Sequence, residues 1–134
     1  MGTSGEGERD LGAVLAGLVV RRRPGVFVYA VVPSGSALPV GTEATVREDE
    51  GLTVVLERRA AERAALTWTF PCAWLTVEVH TALAGVGLTA VLARALADEG
   101  IPCNVLAAYH HDHLLVPDDR GDDALRAVRA LRPG

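Results

Sequence analysis

Two stretches of this chain follow the same local plan. Glu50–Leu66 and His111–Val128 each run through a tight turn, a short apolar strand, a charged cap and an amphipathic helix. Each stretch is preceded by another apolar strand and, before that, by a helix. Helix–strand–strand–helix therefore occurs twice, with extended residues 67–80 between the two copies. That order is the middle of a β-α-β-β-α-β unit built twice. The first half has no room for a leading strand and the second has no closing one, so the strands around 67–80 are expected to serve both halves. Few architectures other than two interlocked α+β halves satisfy this pattern.

The local signals fill in the plan. Asp10 to about Val20 predicts a helix, with Asp10 as N-cap and Arg21, Arg22 and Arg23 as a solvated, dipole-compensating end. Pro24-Gly25 breaks it, and Val26–Val32 is a strand by its β-branched content. Pro33 to Gly41 is a loop. Thr45–Glu48 and Leu52–Leu56 are strands around Asp49-Glu50-Gly51, and Glu57–Leu66 is an alanine-rich helix. Trp68, Phe70, Cys72, Trp74 and Thr76 alternate in extended structure that Pro71 is expected to interrupt. Gly85-Val86-Gly87 opens a helix with apolar positions Leu88, Val91, Leu92 and Leu96. Cys103–Tyr109 is a strand, His110-His111-Asp112 a turn, and His113–Val116 a strand. Ala124, Leu125, Val128 and Leu131 form the stripe of a last helix, whose aspartates (Asp118, Asp119, Asp122, Asp123) suit its N-terminal end. Trp68 and Trp74 suit core or interface packing. Residues 1–8 read as a disordered tail, 9–66 as one half and 67–134 as the other.

Composition narrows the class. A chain of 134 residues with 49% apolar content suits one domain or two very small ones sharing a core. The net charge of −4 argues against nucleic acid and anionic membranes as partners. The apolar run Leu11–Val20 is too short to span a bilayer, and its acidic-before-basic flanks are inverted for a signal peptide. Cys72 and Cys103, without CxxC spacing, read as free thiols of a reducing cytoplasm.

The segments Leu75–Pro117 and Thr45–Leu56 carry a family resemblance. The chain resembles tandem ACT-domain proteins of a small bacterial subgroup. Its hairpin, an aromatic strand followed by Asp-His-apolar-apolar-Val-Pro, is similar to the last ACT repeat of the CASTOR arginine sensors. The resemblance implies an α+β, ferredoxin-like fold with antiparallel sheets covered by helices. It further implies a non-catalytic regulatory protein that binds an amino acid or similar small molecule at an ACT–ACT interface, without cofactor or metal. The CASTOR-like pattern carries the ligand pocket over to Asp112 and to the aromatic strand before it, Tyr109 and His110. With one pair of halves, a full interface would need a homodimer, and regulation would reach a protein in trans.

The residues give that implication a physical form. An amino acid brings a carboxylate and an ammonium. Gly85, Val86, Gly87, Leu88 and Thr89 lie at a helix N-terminus, where free N–H groups favour an anion. Asp112, at the hairpin tip with His111 beside it, suits the ammonium or a cationic side chain. Glu50 occupies the matching tip of the first half, either as a second ligand site or as an ordinary acidic turn. Rival chemistries remain. Gly85–Ala90 fits the G-x-G-x-x-A dinucleotide fingerprint, but too few strands follow for a doubly wound sheet. His111 and His113, with Asp112 and His80 near in sequence, have ligand types that zinc or iron accepts. Ser34 and Ser36 sit in a loop with no histidine nearby, so nothing resembles a nucleophile triad.

Overall fold

The computed structural model describes residues 11–79 and 85–133. Asp10, the 1–8 tail and His80 lie outside the described residues. Residues 11–16 form a short helix, α1. Then follow β1 (Val19–Arg22), β2 (Phe27–Val32), β3 (Thr42–Glu48), β4 (Gly51–Glu57), α2 (Arg58–Arg63), β5 (Trp68–Glu78), α3 (Gly85–Asp98), β6 (Asn104–Ala107), β7 (Asp112–Pro117), a 3₁₀ turn at Asp118–Arg120 and α4 (Gly121–Arg129).

The strands join in one seven-stranded antiparallel sheet of order β3-β4-β2-β5-β7-β6, with β1 also on β5. β5 is the hinge of the design. Its first residues pair with β2 (Phe27 opposite Cys72, Ala30 opposite Trp68), and its last residues pair with β1 (Val19 opposite Glu78, Arg22 opposite Leu75). Between them the amide of Arg23 donates to the Trp74 carbonyl at 2.8 Å. β1 and β2 are thus one bent strand running along one side of β5, while β7 lines the other.

This topology assigns each half its missing strand. The order β5-β2-β4-β3 is a four-stranded ferredoxin-like unit closed by β5. The order β1-β5-β7-β6 is a second such unit, closed by β1 from the N-terminal end of the chain. The expected helix through Val20 ends at residue 16, because Gly17 interrupts it and Val19-Val20 gain a strand partner. Arg21, Arg22 and Arg23 are accordingly not a solvated helix end. Arg21 pairs with Glu78, Arg22 with Asp122 at 2.9 Å, and Arg23 with Glu43 at 2.8 Å. Nor does α1 serve the first half: Val14 and Leu18 pack in the second half's core with Leu88, Leu92 and Leu96. In the first half, residues 33–41 stand where the unit's first helix would be.

Pro71 does not break β5. Phe70 takes a left-handed φ of +53° beside it, and the pairing with β2 shifts register there. A proline lacks only its N–H, so a bulge absorbs it. The helix-covered face of the sheet carries two clusters. Ala73, Leu75, Val77, Leu114 and Val116 lie under α1, α3 and α4, while Val28, Ala30, Val32, Val54 and Leu56 lie with Ala61 of α2. The opposite face holds a third cluster of Phe27, Val55, Cys72, Trp74 and Leu115. That face is concave. Tyr29 of β2 and Leu106 of β6 pack against this same cluster although the two strands are three spacings apart, about 14 Å in a flat sheet.

Candidate functional site

One end of the second half gathers most of the residues the sequence singles out. The C-terminal end of β5 pairs there with the start of β7, and α3 begins seven residues after β5 ends. The backbone of α3's first turn bends at Gly87, whose φ of +92° only glycine adopts readily. A Cβ there would lie 3.7 Å from Leu11 of α1. Gly85 and Val86 open the helix, so their amides are among the first-turn donors without intrahelical acceptors. Leu88 is buried in the core, so only its backbone faces this end; Thr89 is exposed.

Asp112 is the first residue of β7 rather than part of the turn, and it sits opposite both Val77 and Ala107. Directly paired residues share a face, and Val77 belongs to the cluster under α3. Asp112 therefore lies on the α3 side of the sheet. His111 and His113, one residue to either side, lie on the concave side. The alternation that aligns the two histidines removes the aspartate from them. Among the described residues no group of three or more metal-ligating side chains comes together. The hairpin closes through the Ala108 amide donating to His111 carbonyl at 3.1 Å. Tyr109 is 96% exposed, with its ring 4.9 Å from that of His110. His111 Nε2 lies 3.8 Å from the Glu78 carboxylate, which also takes Arg21. Glu50 is exposed at the β3–β4 tip, beyond the other end of β5. Trp68 and Val77, which mark the two ends, are about 30 Å of strand apart.

On the concave side the Trp74 indole N–H donates to His113 Nδ1 at 3.0 Å, with Thr76 Oγ1 3.1 Å from the same nitrogen. Indole can only donate, so Nδ1 carries the lone pair and the neutral ring keeps its proton on Nε2. The Arg23 guanidinium stacks 4.8 Å from the Trp74 ring and 4.9 Å from Phe27. Burial first, then the neighbouring His111 and Arg23, hold His113 below the ordinary imidazole value, with Asp112 opposing. The unfolded chain consequently takes up this proton at higher pH than the folded one. His113's contribution to stability is intact above about pH 6.5 and falls as pH drops below it. Thermal midpoints measured from pH 7.5 to 5 should show that acid loss, and His113→Asn should make it shallower. An unchanged slope in the variant rules the explanation out.

Burial pushes the Cys72 thiol up to about 12 and Cys103 up to about 11, so neither offers a thiolate near neutrality. The first half contributes a different feature that sequence reasoning missed. A groove of about 650 Å³ opens on its concave sheet face, lined by Tyr29, Val31, Val46, Glu48, Thr53 and Thr67–Thr69. Period-two alternation in β2 and β3 could have placed Val31, Val46 and Glu48 on one face. The concavity depends on long-range pairing and could not be foreseen.

Comparison with known proteins agrees with this architecture. Two family profiles, each described as "ACT domain", match, one over residues 6–73 and the other over residues 69–132. A Vibrio cholerae protein of unknown function, named as a possible transport protein, is 35% identical, with 95% of this chain and 99% of that chain aligned at a TM-score of 0.82. A protein from Agrobacterium tumefaciens is 17% identical over 86% of this chain and 89% of that one, at a TM-score of 0.68. The ligand-free regulatory subunit of aspartate kinase from Thermus thermophilus is 10% identical over 84% of this chain and 95% of that one, at 0.62. The last two share the fold. No curated protein matches the sequence.

Proposed function

We propose a non-catalytic regulatory role, the binding of an amino acid, for this chain, which belongs to the ACT-domain family and carries two ACT domains in tandem on an α+β ferredoxin-like fold. In this reading residues 9–66 and 67–134 are the two halves, and the chain works in the cytoplasm as a homodimer that signals to a protein in trans. No helix among the described residues is long and apolar enough to cross a membrane.

The observation that carries the proposal is the placement of Asp112 on the α3 side of the sheet, at the end where α3 begins. A zwitterion needs donors for its carboxylate and an acceptor for its ammonium. The first-turn amides of Gly85–Thr89 supply the former, aided by the helix dipole. The Asp112 carboxylate supplies the latter through a charge-assisted hydrogen bond. A CASTOR-like site would add Tyr109, His110 and His111 from the hairpin. Tyr109, almost fully exposed, would then find its contacts across a dimer interface. Glu50 would mark an equivalent site of the first half.

A calorimetric screen against the twenty amino acids tests this. A bound amino acid at a hundred times its Kd stabilises the folded chain by about 2.7 kcal/mol. For a chain this size that raises the thermal midpoint by several degrees. Asp112→Ala should weaken binding at least tenfold while leaving the unliganded midpoint nearly unchanged. Silence from all twenty at millimolar concentration would instead favour a protein-interaction module with a vestigial site.

A further inference from the structure

The groove on the first half's concave face lies outside the site just described, and its lining has a distinct chemistry. The pairing register sets Val46, Thr53 and Val31 side by side across β3, β4 and β2. Val46, on the edge strand β3, is 51% exposed, and Val31 is 62% exposed although its strand β2 is internal to the sheet. Around this apolar floor stand the hydroxyls of Thr53, Thr67 and Thr69, with Tyr29 and Trp68 at the edges. Glu48 is the only charged residue of the lining. Its carboxylate accepts a hydrogen bond from Thr53 Oγ1 and makes no ion pair among the described residues, whereas Glu43 on the same strand is paired with Arg23.

We propose that this groove is a second ligand site, selective for small apolar amines in their protonated form. The ammonium would pair with Glu48 and donate to the threonine hydroxyls, while the hydrocarbon body covers Val31 and Val46. A volume of about 650 Å³ falls within the range of small-molecule sites. Charge decides the class. A ligand carboxylate would find no cationic side chain in the lining and would meet Glu48 instead, so amino acids are disfavoured here while amines are not. A second copy of the chain is an inferior occupant for the same reason. A two-fold contact through this face would set the groove against itself, offering Glu48 no counter-charge.

Nuclear magnetic resonance titration of the 15N-labelled full chain with n-butylammonium chloride, at constant ionic strength, tests the assignment. Saturable shifts are expected at the amides of Val31, Val46, Thr53 and Thr69. 1-Butanol, which keeps the hydrocarbon and loses the charge, should bind at least fivefold more weakly, and butyrate should not saturate. Glu48→Gln, at a site open to solvent, should reduce butylammonium binding to the level of butanol. Val31→Lys should abolish it by placing an ammonium in the groove; dispersed amide spectra would show that both variants fold. Equal binding of butanol and butylammonium overturns the proposal, as does an unaltered response in Glu48→Gln. Shifts confined to α3 and the β6–β7 hairpin also overturn it, by assigning the amine to the amino-acid site. Concentration-dependent broadening of the groove amides without any amine overturns it in favour of self-association.

Discussion

Phe27→Ala should lower the free energy of unfolding by about 3–5 kcal/mol, a large part of the stability of a domain this size. Phe27 is fully buried at the point where the two halves join, opposite Glu57 of β4 on one side and Cys72 of β5 on the other. Its ring centroid is 5.1 Å from that of Trp74 in a tilted arrangement, a geometry that adds about 0.5–1.5 kcal/mol beyond area burial. Removing the ring leaves a cavity among Trp74, Cys72, Leu115 and Val55. Paired strands hold those residues from both sides, so the cavity cannot easily collapse. Arg23 also loses one of its two aromatic partners. Phe27→Leu refills most of the volume and should cost clearly less. Denaturant unfolding measures both, and a loss below about 1 kcal/mol for alanine would mean that the concave cluster contributes little to cohesion.

The second large effect is expected at Gly51. This residue begins β4 with φ of +149°, and a Cβ would lie 2.9 Å from the Val32 carbonyl oxygen and 2.9 Å from Val31 Cγ1. The carbonyl belongs to a paired strand and cannot retreat as a flexible side chain would. Backbone strain of about 1–3 kcal/mol and overpacking of similar size act together. Gly51→Ala should therefore cost about 2–4 kcal/mol. Gly12 provides the internal control. It lies in α1 with nothing within 4 Å of an added Cβ. Gly12→Ala should leave stability unchanged or raise it by up to about 1 kcal/mol. Similar midpoints for the two variants would remove the steric account of Gly51.

The sequence is most readable where a pattern is local. β2 and β4 announce themselves by β-branched runs, and α4 by an apolar stripe with aspartates before it and Arg126 and Arg129 in its last turn. β1 escapes because Leu11, Val14, Leu15 and Leu18 continue a helical spacing up to its edge. Its strand identity comes from partners more than fifty residues ahead. Pro71 misleads for a related reason. Its local veto on strand structure is answered by a bulge at Phe70 that only the paired β2 makes worthwhile. At the hairpin, period-two alternation already implied that His111 and His113 share a face and that Asp112 does not. The Trp74–His113 hydrogen bond depends on β5–β7 register across 39 positions and has no local signal. The groove around Glu48 is hidden likewise, since its lining comes from β2, β3, β4 and the start of β5, which only pairing brings together.

The shared strand also dictates an order of events in time. During synthesis Val19–Arg22 leaves the ribosome some fifty residues ahead of Trp68–Glu78, and the first half's own closing strand is that same late segment. Neither half has its full sheet until β5 has emerged, and the early strand must wait for a partner it cannot yet touch. A gene encoding the first 66 residues would specify four strands lacking the one on which β1 and β2 both settle. Removing either domain would thus take a strand from the sheet of the other. Their strands form a single sheet, made whole only after the middle of the chain has been translated.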